Sequence, residues 1–343
     1  MEKYFVASNS SDGFCSYYGN AFDIRKFSRI YAIKGGSGTG KAFFMRRVAE
    51  RAEEMGYSVR YIYCSSDAQS LDGIIIDELK IAVLDGTAPH VYEPSLLGAA
   101  DAIVDLGAFL SNDTLRKQRR EIEELLLAKK RCFESAYGYL GAYRLLSNNM
   151  KKLVAPCVKL DKMEGYVKRY CQNLKRGSGE VENRLARSIG MRGLSHFDTY
   201  FESSAIYCEV HDCFEVAHIL LDLIYRALNE KKVDMYISNN PIIKDRLDAI
   251  LLREGGLCFE ISDEFHGGAR KINMKRFVDL SALSSVKNEY RSILHVRQSV
   301  LELALSEFAK IKDYHFALED IYGAAMDFEA KEKFTEDFCN KIL

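Results

Sequence analysis

The sequence predicts an α/β protein in which one unit occurs twice, each copy a mainly parallel sheet flanked by helices and followed by a long helical section. Three observations carry this expectation. Strand-like apolar runs alternate with helix-like periodic ones, the same order of runs returns some 175 residues later, and only 4 prolines interrupt 343 residues.

The first copy opens at Gly13-Phe14 and continues with Arg29-Ile30-Tyr31-Ala32-Ile33, read as a buried strand. A helix follows, with Phe44, Val48, Ala49, Ala52 and Met55 on one face and Gly56 as its stop. Ser58-Val59-Arg60-Tyr61-Ile62-Tyr63 is the second strand and Ile81-Ala82-Val83-Leu84 the third. Strand, helix and strand in succession imply parallel neighbours joined by right-handed crossovers. After Ile103-Val104-Asp105-Leu106, Asp113-Thr114 can cap a long helix whose apolar positions include Ile122, Leu125, Leu126, Cys132, Phe133 and Tyr137. Helices of that length would cover the sheet or form a lid.

The second copy repeats the order, from Gly193-Leu194 through Ala205-Ile206-Tyr207-Cys208 and Val233 to Ser238. Tyr61-Ile62 and Tyr236-Ile237 lie 175 positions apart, and Ile103 to Leu106 lie 174 from Phe277-Val278-Asp279-Leu280. Ile81 to Leu84 lie 176 from Leu257-Cys258-Phe259-Glu260, as do His90 and His266. Val300, Leu301, Leu303, Ala304, Leu305 and Phe308 mark the second long helix. The joint falls near residues 175–190, where Lys175-Arg176-Gly177-Ser178-Gly179-Glu180 has linker composition, so the domains are taken as 1–180 and 181–343.

The 48 Lys+Arg against 49 Asp+Glu leave no overall attraction to nucleic acid or acidic membranes. A charged fraction of 28% with 48% hydrophobic residues excludes wholesale disorder. The 9 cysteines are odd in number and form no CxxC pair, which predicts reduced thiols in a cytoplasmic protein. Met1 to Phe5 contain no apolar signal region, and no run approaches the ~18 residues that span a bilayer.

The strongest chemical signal is Gly35-Gly36-Ser37-Gly38-Thr39-Gly40-Lys41-Ala42, a G-x-x-x-x-G-K sequence between a strand and a helix. Glycines let the backbone aim its N–H groups at phosphate oxygens, Lys41 adds an ammonium, and the helix start adds its positive dipole end. Ala42 stands where Ser or Thr normally ligates Mg²⁺, so nucleotide binding is expected with weakened or lost turnover. Asp85 ends an apolar strand and is the expected Mg²⁺ ligand, with no Glu after it. Lys41, Asp85 and His90 are the candidate catalytic residues, His90 as phosphate sensor or acid; Thr87, Asp67 and Asp72 are further polar candidates. In the second copy the corresponding stretch is Val210-His211-Asp212-Cys213-Phe214-Glu215-Val216-Ala217, where Asp212 and Glu215 would repel phosphate. Cys208, His211, Cys213 and His218 match no zinc spacing. Arg116, Lys117, Arg119 and Arg120 sit next to Glu121, Glu123 and Glu124, as on a solvated helix face with i,i+4 pairs, or supply a lid arginine to the γ-phosphate.

Taken together, the loop from Gly35 to Lys41, Tyr63-Cys64-Ser65-Ser66-Asp67 with Ser70-Leu71-Asp72-Gly73, and Asp85-Gly86-Thr87-Ala88-Pro89-His90 resemble an uncharacterised family of bacterial P-loop ATPases with two tandem nucleotide-kinase-like halves. The resemblance implies two duplicated P-loop NTPase-like domains, the second degenerate, and ATP with Mg²⁺ as ligands. Ala42 and the eroded second loop depart from the pattern. The expected partners are a nucleotide and an unidentified small-molecule acceptor or protein. A small-molecule or nucleotide kinase and a non-catalytic, nucleotide-responsive regulator or scaffold are the alternative functions.

Overall fold

The structure is a computed structural model that describes residues 2–262 and 269–343. The match assigned to His266 lies outside the described residues. In the first half, β1 (Glu2–Phe5), the hairpin of β2 (Ala7–Ser10) and β3 (Gly13–Ser16), and the short α1 (Tyr18–Ala21) precede β4 (Arg29–Lys34) and α2 (Lys41–Glu54). Then come β5 (Val59–Tyr63), β6 (Leu71–Ile76), β7 (Ile81–Asp85), β8 (Asp101–Asp105), α3 (Asn112–Lys117), the long α4 (Arg119–Val154) and α5 (Leu160–Cys171). The second half repeats the series as β9 (Val181–Asn183), β10 (Arg187–Gly190), β11 (Gly193–His196), α6 (Thr199–Glu202), β12 (Ile206–His211) and α7 (Ala217–Glu230). It continues with β13 (Met235–Asn239), β14 (Leu247–Leu252), β15 (Leu257–Ile261), β16 (Arg270–Asn273), α8 (Leu280–Ser284), the long α9 (Lys287–Ala324) and α10 (Phe328–Ile342).

Each half builds a six-stranded sheet, in the orders β1-β5-β6-β7-β4-β8 and β9-β13-β14-β15-β12-β16. The two orders are the same, strand for strand, as a duplication requires. Both sheets are mixed. β4 pairs in parallel with β7 and β8, whereas β6 runs antiparallel to β5 and β7, as β14 does to β13 and β15. The mainly parallel sheet expected from the sequence omitted β6 and β14. The short link from Tyr63 to Leu71 has no room for a helical crossover, so the chain must return antiparallel. One landmark also shifts: the strand equivalent to β8 is β16, and Phe277 ends the 3-10 turn that follows it, with Asp279 capping α8.

The helices follow their apolar faces. α2 buries Phe44, Met45, Val48, Ala49 and Ala52 on one side, and Gly56 beyond its end takes a φ of 88° that an L side chain resists. α4 and α9 pack on each other through Cys132, Ala136 and Leu140 against Ala304, Phe308 and Ile311. The terminal helices then cross over. Met163, Tyr166, Val167 and Cys171 of α5 join the core of the second sheet with Cys208, Ile224 and Phe259. Phe338 and Cys339 of α10 join the core of the first sheet with Ile33, Phe44 and Val48.

The hairpins cross in the same way. Phe5 and Leu185 exchange two backbone hydrogen bonds, of 2.9 and 2.8 Å. Ser8 Oγ donates to the Pro241 carbonyl at 2.6 Å, and its counterpart Ser188 Oγ to the Ser65 carbonyl at 2.8 Å. Gly190 approaches so closely that a Cβ there would lie 2.4 Å from the Ser66 carbonyl oxygen. Among the described residues, no helix is long and apolar enough to cross a membrane.

Candidate functional site

The loop from Gly35 to Gly40 leaves β4 and enters α2, and the parallel pairing of β4 with β7 sets Asp85 beside Ile33 at the same end of the sheet. Gly38 and Gly40 have φ of 71° and 74°, the left-handed backbone that lets the loop turn sharply. Lys41 Nζ donates to the carbonyls of Gly35 at 2.9 Å and Gly36 at 2.8 Å and lies 3.6 Å from Asp85 Oδ2. Thr39 Oγ1 donates to the Gly36 carbonyl at 2.9 Å. Asp85 Oδ1 accepts the Thr87 amide at 2.9 Å and the Thr87 hydroxyl at 2.5 Å. Burial pushes the Asp85 carboxyl above its usual range, against the opposing pull of Lys41 and Thr87. Ala42 sets its methyl against the core of the first sheet.

The second half roofs this loop. A Cβ on Gly38 would lie 2.5 Å from the Glu319 carbonyl oxygen, and one on Gly36 would lie 2.9 Å from the Tyr322 ring, both on α9. A Cβ on Gly40 would lie 2.7 Å from Lys331 Nζ of α10. Lys331 is 3% exposed, its ammonium 4.7 Å from the centre of the Phe43 ring, and among the described residues it has no ion-pair partner. Burial pushes its pKa down. A third cation, Lys129 of α4, has its Nζ 3.3 Å from His315 Nδ1, and His315 Nε2 lies 3.3 Å from Glu319 Oε1. Burial lowers the Lys129 pKa, and the positive charge of Lys41 lowers it further.

The other sequence candidates separate. Asp67 pairs with Arg192, at the tip of the β10–β11 hairpin from the other half. His90 stacks on Tyr18, centroids 4.7 Å apart, and its Nε2 lies 2.9 Å from Asp72 Oδ2. The basic run at 116–120 is exposed and paired locally, Arg119 to Glu123 at 2.7 Å and Arg120 to Glu124 at 3.0 Å. Among the described residues, Cys208, His211, Cys213 and His218 do not converge as ligands.

The second loop is occupied by its own side chains. Asp212 Oδ1 accepts the amides of Phe214 at 3.2 Å and Val216 at 3.0 Å. Glu215 pairs with Arg246 at 2.8 Å and with Arg297 at 2.5 Å. Asp212 thus holds backbone amides of its own loop, and Glu215 holds two arginines. Burial first, and Glu215 next, push the Asp212 carboxyl up to about 6.

The long and terminal helices of the two halves are related by a shift of 168 residues, which makes Arg297 the counterpart of Lys129, Ser147 of His315 and Met163 of Lys331. Arg297 Nη1 donates to Ser147 Oγ at 3.2 Å, as Lys129 meets His315. Sequence reading missed Lys129 and Lys331, although that shift, once the long helices were aligned, would have set each beside its counterpart. No family model matches the chain, and neither a curated protein nor a solved structure matches it.

Proposed function

We propose that the chain is a P-loop protein that binds ATP with Mg²⁺ in its first half and turns it over weakly or not at all. The observation that carries this reading is the contrast between the two loops. The second loop carries two carboxylates of its own, one of them gripped by Arg297 from the long helix. The first loop carries none, and Lys41, Lys129 and Lys331 gather about it from three helices. Of these, Lys331 has no ion-pair partner among the described residues, and a buried ammonium so placed is unfavourable unless an anion compensates it. A triphosphate is such an anion, and the glycine backbone with the start of α2 supplies the donors that orient it.

The residues fit Mg²⁺ in part. Asp85 is positioned to hold the ion, directly or through water, and Ala42 offers no hydroxyl. Bound Mg²⁺ would supply charge neutralisation at the β- and γ-phosphates. The chain's own part is positioning: Lys41 orients the phosphates, and the α9–α10 roof excludes water. Gly86-Thr87-Ala88-Pro89-His90 provides no carboxylate base beside Asp85, which supports slow turnover. A kinase would need an acceptor pocket at the loop. A cavity of about 630 Å³ lies away from the loop, among Arg60, Glu182, Arg184 and Arg253.

A second reading, a nucleotide-responsive regulator, draws support from the roof. Gly36, Gly38 and Gly40 touch elements of the other half, so an anion that moves the loop also moves the contact between halves. Calorimetric titration with Mg-ATP and a phosphate-release assay, on this chain and on Ala42→Ser side by side, test both readings. Binding by both forms is expected, with tighter Mg-dependent binding or faster release in Ala42→Ser. Binding without release in either form favours the regulator. Absence of nucleotide binding in both overturns the proposal.

A further inference from the structure

A second site lies where β5 meets β6. The ladder shifts register between Ile62 and Tyr63, so that Ile62 faces Gly73 and Tyr63 faces Leu71, leaving Asp72 as the extra residue of a bulge. The bulge brings Asp72 to Cys64, just past β5, and to His90 in the loop after β7. One ligand atom from each of the three lies within 4.8 Å of the other two.

Asp72 is 4% exposed and His90 6%, and neither Asp72 Oδ2 nor His90 Nδ1 has a hydrogen-bond partner. His90 Nε2 approaches Asp72 Oδ2 to 2.9 Å without the angles of a hydrogen bond, as two groups do when both address a third. Tyr18 stacked on the ring and Phe14 edge-on at 4.7 Å hold the imidazole in place. Burial first, and the Asp72 carboxylate beside it next, push the Cys64 thiol up.

The second half has the same bulge and a different solution. Asp248, the counterpart of Asp72, accepts from Nδ2 of Asn240, the counterpart of Cys64, at 3.1 and 3.2 Å, and Arg187 lies 3.7 Å away. There the protein supplies the donors that the buried aspartate needs. In the first half a thiol and an imidazole face the aspartate instead.

We propose that Cys64, Asp72 and His90 bind a divalent transition-metal ion, with Zn²⁺ the best match to a thiolate, a carboxylate and an imidazole. Typical Zn–S and Zn–N/O distances place tetrahedral ligand atoms roughly 3.3–3.7 Å apart, so the cluster has to adjust by about 1 Å or less, the His90–Asp72 pair opening from 2.9 Å. Three protein ligands leave a fourth position for water. On binding, the Cys64 S–H proton passes to solvent and the sulfur bonds the ion, with no change of oxidation state. This site stands independently of nucleotide binding.

The test uses chelator-treated full-length protein titrated with Zn²⁺ and with Co²⁺ alone. One equivalent should bind, with a sulfur-to-cobalt charge-transfer band and tetrahedral d–d bands. Cys64→Ser should lose the charge-transfer band, and Asp72→Asn or His90→Gln should bind at least tenfold more weakly. In the unaltered protein, Zn²⁺ should slow alkylation of Cys64 and leave that of Cys15 and Cys213 unchanged, a readout that requires no variant to fold. No bound ion at micromolar Zn²⁺, equal binding by Cys64→Ser, or unprotected Cys64 overturns the proposal.

Discussion

Lys129 and Arg297 occupy equivalent positions on the two long helices, yet Arg297 Nη1 lies 2.5 Å from Glu215 Oε1, whereas Lys129 Nζ meets Nδ1 of His315 at 3.3 Å. The arginine grips an anion that belongs to its own half. The lysine reaches toward a loop with no carboxylate of its own.

Lys129→Met should therefore weaken ATP binding by about tenfold, the loss of one charge-assisted contact. Because burial and Lys41 already hold the Lys129 pKa down, bound phosphate should raise it. The check is calorimetric ATP affinity measured on the unaltered chain and the variant side by side.

Lys331→Met places at the first loop the residue found at its counterpart, Met163. Removing a buried ammonium that has no ion-pair partner among the described residues should raise folding stability by about 1 kcal/mol, while ATP affinity falls. Urea midpoints and nucleotide titrations on the same preparation should move in opposite directions.

Asp212 gives the fold a pH dependence of definite sign. Its folded pKa of about 6 exceeds the ordinary aspartate value of 3.8, so its contribution is fully present below pH ~4 and is lost as pH rises through about 6. Asp212→Asn keeps an oxygen for the amides of Phe214 and Val216 and abolishes that loss. Its advantage in urea unfolding should be small at pH 4 and grow to about 1–2 kcal/mol at pH 7; the full shift would give about 3, and the partial exposure of Asp212 reduces it.

Phe338 of α10 lies 5.0 Å, ring to ring, from Phe44 and 4.9 Å from Tyr31, and is 8% exposed. Phe338→Ala should cost about 3–5 kcal/mol. Hydrogen exchange should locate the weakening in the first sheet, although the residue belongs to the second half of the chain.

Much of the fold is legible in the sequence because its determinants are local. Gly35 to Lys41 are readable as a phosphate-type loop, and the runs at Arg29, Ser58 and Ile81 are readable as strands, since each carries its own periodicity and stop signals. β6 is harder: Leu71-Asp72-Gly73 interrupts its apolar run with a carboxylate at the bulge and a glycine against the Phe22 ring, where a Cβ would lie 2.8 Å away. The crossing of α5 and α10 has no local signature, since either helix presents an apolar face that suits either sheet. Lys129 and Lys331 read as surface lysines on amphipathic helices until the tertiary fold turns them inward. Cys64, Asp72 and His90 fit no metal-ligand spacing because a strand bulge, not a sequence interval, brings them together.

The crossing also sets an order of events. Glu319 and Lys331 follow Gly38 by about 280 and 290 residues, so the glycine loop is made long before the helices that roof it. A growing chain holds the loop and lacks its cover, and a cut at the 175–190 joint would leave each fragment carrying the terminal helix that the other needs. Fragments mixed together would reassemble by exchange, and a fragment alone would seek a second copy of itself. The connection between the halves thus keeps two interlocked partners at equal concentration and confines that exchange to a single chain.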